Sequence, residues 1–471
     1  MQSQMKKIKL LILGSVLPSL MFCQQWYSMD GGVNSPSHPP YVFTINAFQG
    51  NIIIGGQFKT SGSTILNSIG KWDGQHWKPM GIGAWLPSPN QDADVANFPF
   101  YKSKLYIIGY ILGAGGSFVG DTTHRVGDIA KWNGSDWFPL CSNPIYSGFD
   151  FFAYSSSIYN NNLYIGGDFQ QTIDSSGALY SQGIARWNDT VFSSPGIMTT
   201  NHVLGMPSLW ALKVYNNKLI AGGAFNSIDG STYGSYSFIA AWDDTSWSPL
   251  STGLNAPVHS LTVYNGELYA GGAFTATGDN LTPLNHVAKW NGTQWLAVGE
   301  GLNDSVYTLY VDSLQNKLYA GGSFTQTGLG IQAKRIAEWT GSNWQEVGGG
   351  TNNDVWALYA KDSNLYVGGY FSQVGGSVPA SCIAVWGNNP VGINEINNYE
   401  EINIYPIPTT GIFTIHSEGM KIKQIKITNI LGEVIKNINN TTIDLSDQPK
   451  GIYFVEIKTD KGTTNKKIIL Q

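Results

Sequence analysis

Charge is scarce in this chain: Asp, Glu, Lys and Arg make up only 13% of its 471 residues. Such a composition argues against coiled coil, exposed helices and a disordered polyelectrolyte. Clustered basic residues are also missing. Setting aside a lysine-bearing start and a neutral C-terminal stretch, the remainder holds 15 basic and 23 acidic residues, a net charge of −8. Nucleic acid is therefore disfavoured as a partner, because phosphate contacts need grouped Lys and Arg. Cysteines number three. Cys23 ends the start segment, and Cys141 and Cys382 lie in distant parts of the chain, which reads as two independent thiols rather than a disulfide. Long apolar runs are absent beyond residues 10–22, which follow Lys6, Lys7 and Lys9 and are too short to span a bilayer as a mature helix. Residues 1–23 read as a signal peptide cleaved near Cys23-Gln24.

The usual catalytic constellations are missing as well. The seven histidines (His38, His76, His124, His202, His259, His286 and His416) are scattered singly, with no second His at ligand spacing. Arg125, Arg186 and Arg335 fall in different segments; their convergence at one point would be needed for a hydrolase with an arginine cluster. No phosphate loop, Ser-His-Asp arrangement or dinucleotide fingerprint occurs. Asp92 and Asp94, in Asn-Gln-Asp-Ala-Asp, read as a solvated acidic loop, with calcium retained as the weaker alternative because no Gly turn and Glu follow. No catalytic, cofactor or metal residue is assigned.

What is present is glycine, aromatic side chains and repetition. Residues 258–302 contain four short β-runs: 258–264, 268–274, 286–290 and 295–298. Asn265-Gly266 closes the first pair as a two-residue hairpin, and Asn291-Gly292 the second. A Gly-Gly pair inside the second run adds no packing of its own, so it points to close approach of a neighbouring backbone or ring. The pair recurs at Gly55-Gly56, Gly166-Gly167, Gly222-Gly223, Gly271-Gly272, Gly321-Gly322 and Gly368-Gly369. A degraded copy at residues 106–110 is read as having lost its second glycine. A Trp follows each copy at the third run: Trp72, Trp132, Trp187, Trp242, Trp290, Trp339 and Trp386. These seven copies, 47 to 60 residues apart, have the spacing of propeller blades, and the Gly and Trp positions read as packing between blades.

The seventh copy lacks a fourth run, and an orphan run, Gln25-Trp26-Tyr27-Ser28-Met29, precedes the first. The expected fold is therefore all-β: a seven-bladed β-propeller over residues 24–387 closed by its N-terminal strand, then a linker at 388–400 and a small β-sandwich at 401–471. Specificity is expected on the long connections between second and third runs and between blades (84–95, 111–128, 170–183 and 226–238), which carry Tyr180, Tyr233 and Tyr236.

The tail has seven short runs, beginning near residues 402, 411, 425, 434, 442, 452 and 466, as a small sandwich would. It carries Tyr405-Pro406 and Gly411, then Asn429, Leu431 and Gly432, then Lys450-Gly451 and Tyr453. On those motifs it resembles the type A C-terminal sorting domain of the type IX secretion system of Bacteroidetes. The resemblance implies a secreted or surface-displayed protein that passes through the periplasm, with the secretion machinery and its sortase as partners. Residues 24–390 look like a Kelch or galactose-oxidase-type propeller, and their Leu-Tyr-Ala-Gly-Gly-x-Phe and Ala-x-Trp phrasing is also similar to repeats in fungal cortical-marker surface proteins. A copper site of the galactose-oxidase type would need paired His and Tyr ligands, which the lone histidines do not supply. The functional expectation is a binding or interaction module for a glycan or an extracellular protein. The alternatives are a secreted carbohydrate-active enzyme with its site on the variable face, and a structural or adhesion protein of the cell surface.

Overall fold

The computed structural model describes residues 24–470 except 89–90, 141–147, 201–206, 233, 388–401, 406–408, 410, 418–420, 430–431 and 461–462. The signal peptide, the linker, Cys141, His202, Tyr233, Pro406 and Leu431 thus lie outside the described residues. Two compact units are present, Met1–Pro390 and Val391–Gln471.

The first unit is all-β and propeller-like, a succession of four-stranded antiparallel sheets whose strands follow chain order. Sheets I to VII begin with Tyr41–Phe48, Asp94–Asn97, Ala153–Tyr159, Ser208–Tyr215, Val258–Tyr264, Val306–Asp312 and Val355–Lys361. In sheet V the second to fourth strands are Glu267–Gly272, Val287–Trp290 and Trp295–Ala297. Asn265 (φ 49°) and Gly266 (φ 78°) occupy the positive-φ positions of the tight hairpin turn. Sheet VII takes its fourth strand from the other end of the unit. Gln25–Ser28 pairs antiparallel with Ile383–Gly387, with Trp26 opposite Trp386. Sheet II departs from the pattern: its first strand is interrupted at Pro99, and Phe100–Tyr101 resumes the pairing as a separate strand.

The paired glycines meet two different needs. A Cβ on the first glycine would come within 2.5–2.8 Å of an apolar side chain on the next sheet: Gly55 against Val95, Gly166 against Leu209, Gly222 against Val258, Gly271 against Val306, Gly321 against Val355, and Gly368 of sheet VII against Val42 of sheet I. A Cβ on the second would overlap a backbone carbonyl of its own sheet, as Gly272 would overlap Pro257. Sheet II corrects the sequence reading. Its retained Gly109 would overlap the carbonyl of Asp94, so it is the second glycine that survives and the first that is replaced, by Ile108. The facing residue on sheet III is Ala153 where other sheets carry Val or Leu, and both Ile108 and Ala153 are fully buried in one cluster.

Each third-strand Trp packs on an aromatic ring of the fourth strand at 4.6–5.4 Å between centroids: Trp72 on Trp77, Trp132 on Trp137, Trp187 on Phe192, Trp242 on Trp247, Trp290 on Trp295, Trp339 on Trp344 and Trp386 on Trp26. The fourth-strand rings, which sequence reading did not single out, include the most deeply buried: Trp77 and Trp137 are inaccessible and Trp295 nearly so. Several donate their indole N–H to the carbonyl at the end of the preceding sheet. Trp137 bonds Met80 at 3.0 Å, Trp344 bonds Val298 at 3.1 Å and Trp77 bonds Met29 at 3.1 Å. Trp26 bonds Gly348 at 2.7 Å in the same way. Buried indoles usually find such partners, and the Trp295 indole nitrogen is an exception.

Among its described residues the second unit has seven strands in two sheets. Ile402–Tyr405, Ile412–Ser417 and Thr442–Asp444 form one; Val434–Ile438, Ile422–Asn429, Gly451–Thr459 and Thr463–Leu470 form the other. Both contribute to one buried cluster that includes Phe413, Ile415, Ile427, Ile443, Val455 and Ile468.

Candidate functional site

The site grows out of a defect repeated in every first strand. Opposite the Gly-Gly pair the register skips one residue: Val258 faces Gly272 and Ser260 faces Gly271, leaving His259 unpaired. The same β-bulge releases Phe43, Ala96, Tyr154, Trp210, Tyr307 and Trp356. A bulge takes one side chain out of the strand's alternation and re-aims it. All seven released residues line a single pocket of about 360 Å³. Its other walls come from the same first strands, together with Phe152, and include Asp94, Asn97, Thr44, Ser260 and Thr308.

Six of the seven re-aimed side chains are rings, and five of them touch in series. Trp210 stacks on His259 (4.8 Å, 14° between planes), and His259 meets the edge of Tyr307 (5.5 Å, 89°). Tyr307 meets Trp356 edge-on, and Trp356 stacks on Phe43 (5.1 Å, 6°) and Tyr41 (5.2 Å, 2°). On the far side Tyr154 stacks on Phe152, and Phe152 on Tyr110. Unlike Trp77, Trp137 and Trp295, the re-aimed rings are only half-buried. The bulges sit where the second strand runs out into its long connection, so the pocket lies at the end of the sheets where the variable loops leave.

The electrostatics of the pocket are one-sided. Burial drives His259 down to about 4, so the imidazole is neutral. Burial pushes the Asp94 carboxyl up to about 7, opposed by His38 and reinforced by the charge of Asp92. Asp168 rises to about 6 for the same first cause, although the Tyr154 hydroxyl donates to its Oδ2 at 3.2 Å. Tyr154 is raised by burial and then by Asp168 and Asp94. Oδ1 of Asp94 and Oδ1 of Asp168 are both buried without a hydrogen-bond partner.

These shifts have a measurable sign. A carboxyl whose folded pKa exceeds its unfolded value of about 3.9 binds its proton more tightly when folded, so its stabilisation is complete below pH ~4 and is lost as pH rises through the folded value. The difference in melting temperature between Asp94→Asn and the parent should therefore move in favour of the variant from pH 4 to pH 8, with most of the change below pH 7. A difference that is flat or moves the other way in scanning calorimetry would remove the buried-carboxylate account.

Other candidate residues are placed elsewhere. Asp92 is not in a solvated loop: it is buried, with Oδ2 3.2 Å from His38 Nε2 and Oδ1 3.9 Å from Lys59 Nζ. Asp92 and Asp94 gain no third ligand, and among the described residues no group of three or more His, Cys, Asp or Glu is arranged for a metal. Arg186 lies 3.7 Å from Asp244 and Arg335 3.5 Å from Asp354; neither they nor Arg125 line the pocket. His76 meets Asp30, and His286 sits at φ 70° just before its strand, with Nδ1 3.2 Å from the Gly272 carbonyl. Cys382 is a buried free thiol, pushed up to about 11 by burial and in contact with the Pro40 carbonyl. Tyr180 is exposed on its loop, but Tyr236 is half-buried and donates to the Trp247 carbonyl at 3.1 Å. A second recess, about 570 Å³ between sheets I and II, opens among the hairpin turns and presents Phe48, Lys104, Trp132 and Phe138.

In the second unit the sorting motif residues shape turns. Gly432 (φ 83°) donates to the Asn429 carbonyl at 3.0 Å, while the Asn429 side chain accepts from Glu433 N. Gly411 (φ 148°) leaves no room for a Cβ beside Ser446. Lys450 and Gly451 are exposed, and the Tyr453 hydroxyl two residues on donates to Pro449 O at 2.6 Å. Tyr405 pairs with Thr414.

No curated protein matches this chain in sequence. Among solved structures it is similar to the computationally designed Ika8 protein (12% identity, TM-score 0.40, 94% of this chain and 99% of that one). It is similar also to the WD40 β-propeller domain of Doa1 (12%, TM-score 0.39, 77% and 97%) and to YjhT (13%, TM-score 0.34, 72% and 99%). Among the described residues no helix is long and apolar enough to cross a membrane. The model of the secretion system C-terminal sorting domain matches residues 403–471. This chain thus ends in a type IX secretion C-terminal sorting domain, which marks it for secretion or display on the outer cell surface.

Proposed function

We propose that the first unit is a seven-bladed ring closed by Gln25–Ser28, carried outside by the small sandwich that follows it, and that it works there as a glycan-binding module. The carrying observation is the convergence of seven bulged residues, one from each sheet, on one pocket in which six present rings. The contact of Gly368 with Val42, and the Trp386–Trp26 pair, support closure of the ring.

Half-exposed flat rings offer stacking faces to the C–H faces of a sugar, and the flanking hydroxyls and the Asn97 amide supply a few directed hydrogen bonds. An enzyme that cleaves glycosides needs two carboxyl groups flanking the scissile bond. Among the described residues Asp94 is the one acid that lines this pocket, with Asp168 behind Tyr154, so binding is the better reading. Exposed apolar side chains on the second-to-third connections, among them Ile65, Phe118, Leu281 and Leu329, favour docking of an extracellular protein on the same face as a second reading.

The test is titration of the full chain with soluble oligosaccharides, followed by tryptophan fluorescence and calorimetry. Trp356→Ala should weaken binding by about 10- to 100-fold, the loss typical of a central aromatic anchor. Absence of binding across sugar classes, or affinity indifferent to Trp356, would overturn the glycan reading.

A further inference from the structure

The sign of the pocket's charge says more about its ligand than its shape does. Among the described residues lining it, no lysine or arginine is present, and one carboxyl group is. The sole lining base, His259, is held between Trp210 and Tyr307 and carries no charge. The nearby basic side chains His38 and Lys59 face Asp92, and neither lines the pocket. Asp94 Oδ1 and Asp168 Oδ1 remain buried and unpartnered. Tyr154, whose ring lines the pocket, feels the charge of both. A buried carboxyl without a partner ionises only at a cost, and a cation arriving beside it lowers that cost. The rings around them add to the same preference, because aromatic faces attract cations, most strongly where water is excluded.

Resting on the glycan-binding reading of this pocket, we propose that its ligand presents a positively charged amine, either the ammonium of a deacetylated amino sugar or a quaternary ammonium group. Asp94 provides the counter-charge, and Trp356, Trp210, Tyr307 and Phe43 provide the cage. A neutral sugar would use the rings but leave Asp94 buried without an ionic partner. N-acetylation, which removes the charge and adds bulk, should therefore be disfavoured.

Calorimetric titration of the full chain near pH 7 separates the possibilities, using a glucosamine tetramer, its fully N-acetylated counterpart, and tetramethylammonium chloride against a sodium chloride control. The deacetylated tetramer is expected to bind at least 10-fold more tightly than the acetylated one, and to lose at least 10-fold on Asp94→Asn. Saturable tetramethylammonium binding with the same dependence on Asp94 would identify a quaternary group as sufficient. Equal or tighter binding of the acetylated tetramer would overturn the charge inference while leaving the glycan reading intact. Failure of all three probes to bind would overturn this proposal, and the broader reading would then rest on the uncharged-sugar titrations. Should Asp94→Asn fail to fold, the acetylation contrast on the parent protein decides alone.

Discussion

Deletion of residues 24–30 is expected to remove most of the first unit's stability. The deleted segment is short, but three kinds of interaction leave with it. Trp26 is 7% exposed and Met29 1%, so two large side chains are withdrawn from the core. Truncations of that kind cost about 2–5 kcal/mol each. Trp386 loses its ring partner, Trp77 loses the carbonyl that accepts its indole proton, and Ile383–Gly387 becomes an unprotected sheet edge. Set against the roughly 5–15 kcal/mol that holds a typical domain together, the sum is most of what is available. The deletion should lower the denaturant midpoint steeply or leave an aggregating chain. Trp26→Ala is the milder form, expected to lose about 3–5 kcal/mol. A peptide spanning residues 24–33, added in trans, should restore part of the midpoint if the strand acts by pairing with sheet VII. Midpoints unchanged in both variants would show that Gln25–Ser28 is an accessory to the unit rather than its closing element.

Much of this architecture was legible in the sequence because it repeats with fixed chemistry. Gly-Gly recurs at one place in six of the seven copies and Trp at one place in all seven, and each position has a fixed physical use there. The orphan Gln25-Trp26-Tyr27 was legible for the same reason, since it carries the fourth-run pattern that the seventh copy lacks. The pocket was not. Its seven positions hold Phe, Ala, Tyr, Trp, His, Tyr and Trp, so no one residue type is common to the copies, and the long loops are the more conspicuous variable feature of the sequence. Only the register defect unites these positions. A faint signal existed: in each first run the residue after Val42, Val95, Ala153, Leu209, Val258, Val306 or Val355 breaks the alternation, and it is bulky and aromatic in most copies. Asp92 was misread for a related reason. Its local sequence is that of a solvated turn, and the partners that bury it, His38 and Lys59, are far away in the chain.

The exception at sheet II offers the sharpest test of how the sheets fit together. At six interfaces a glycine faces Val or Leu on the next sheet; at the seventh, Ile108 faces Ala153. If each interface conserves volume, the two residues exchange bulk across one contact, and mutations there should be strongly coupled. Ala153→Val alone adds methyl groups against a side chain that has no room to yield, at about 1–3 kcal/mol. Ile108→Gly alone opens a cavity and frees the backbone, at about 3–5 kcal/mol. The double variant recreates the Gly-against-Val arrangement of Gly271 and Val306, and should cost at least ~2 kcal/mol less than the sum of its parts. Chemical denaturation of the four proteins yields the coupling directly. Additive costs would mean that Ile108 and Ala153 are accommodated separately, each by its own sheet, and that the inter-sheet spacing is not set at this contact. Strong coupling would mean that the same interlock, of two shapes but one volume, holds every neighbouring pair of sheets at a common distance. The seven bulged side chains can reach one pocket only if that distance is kept.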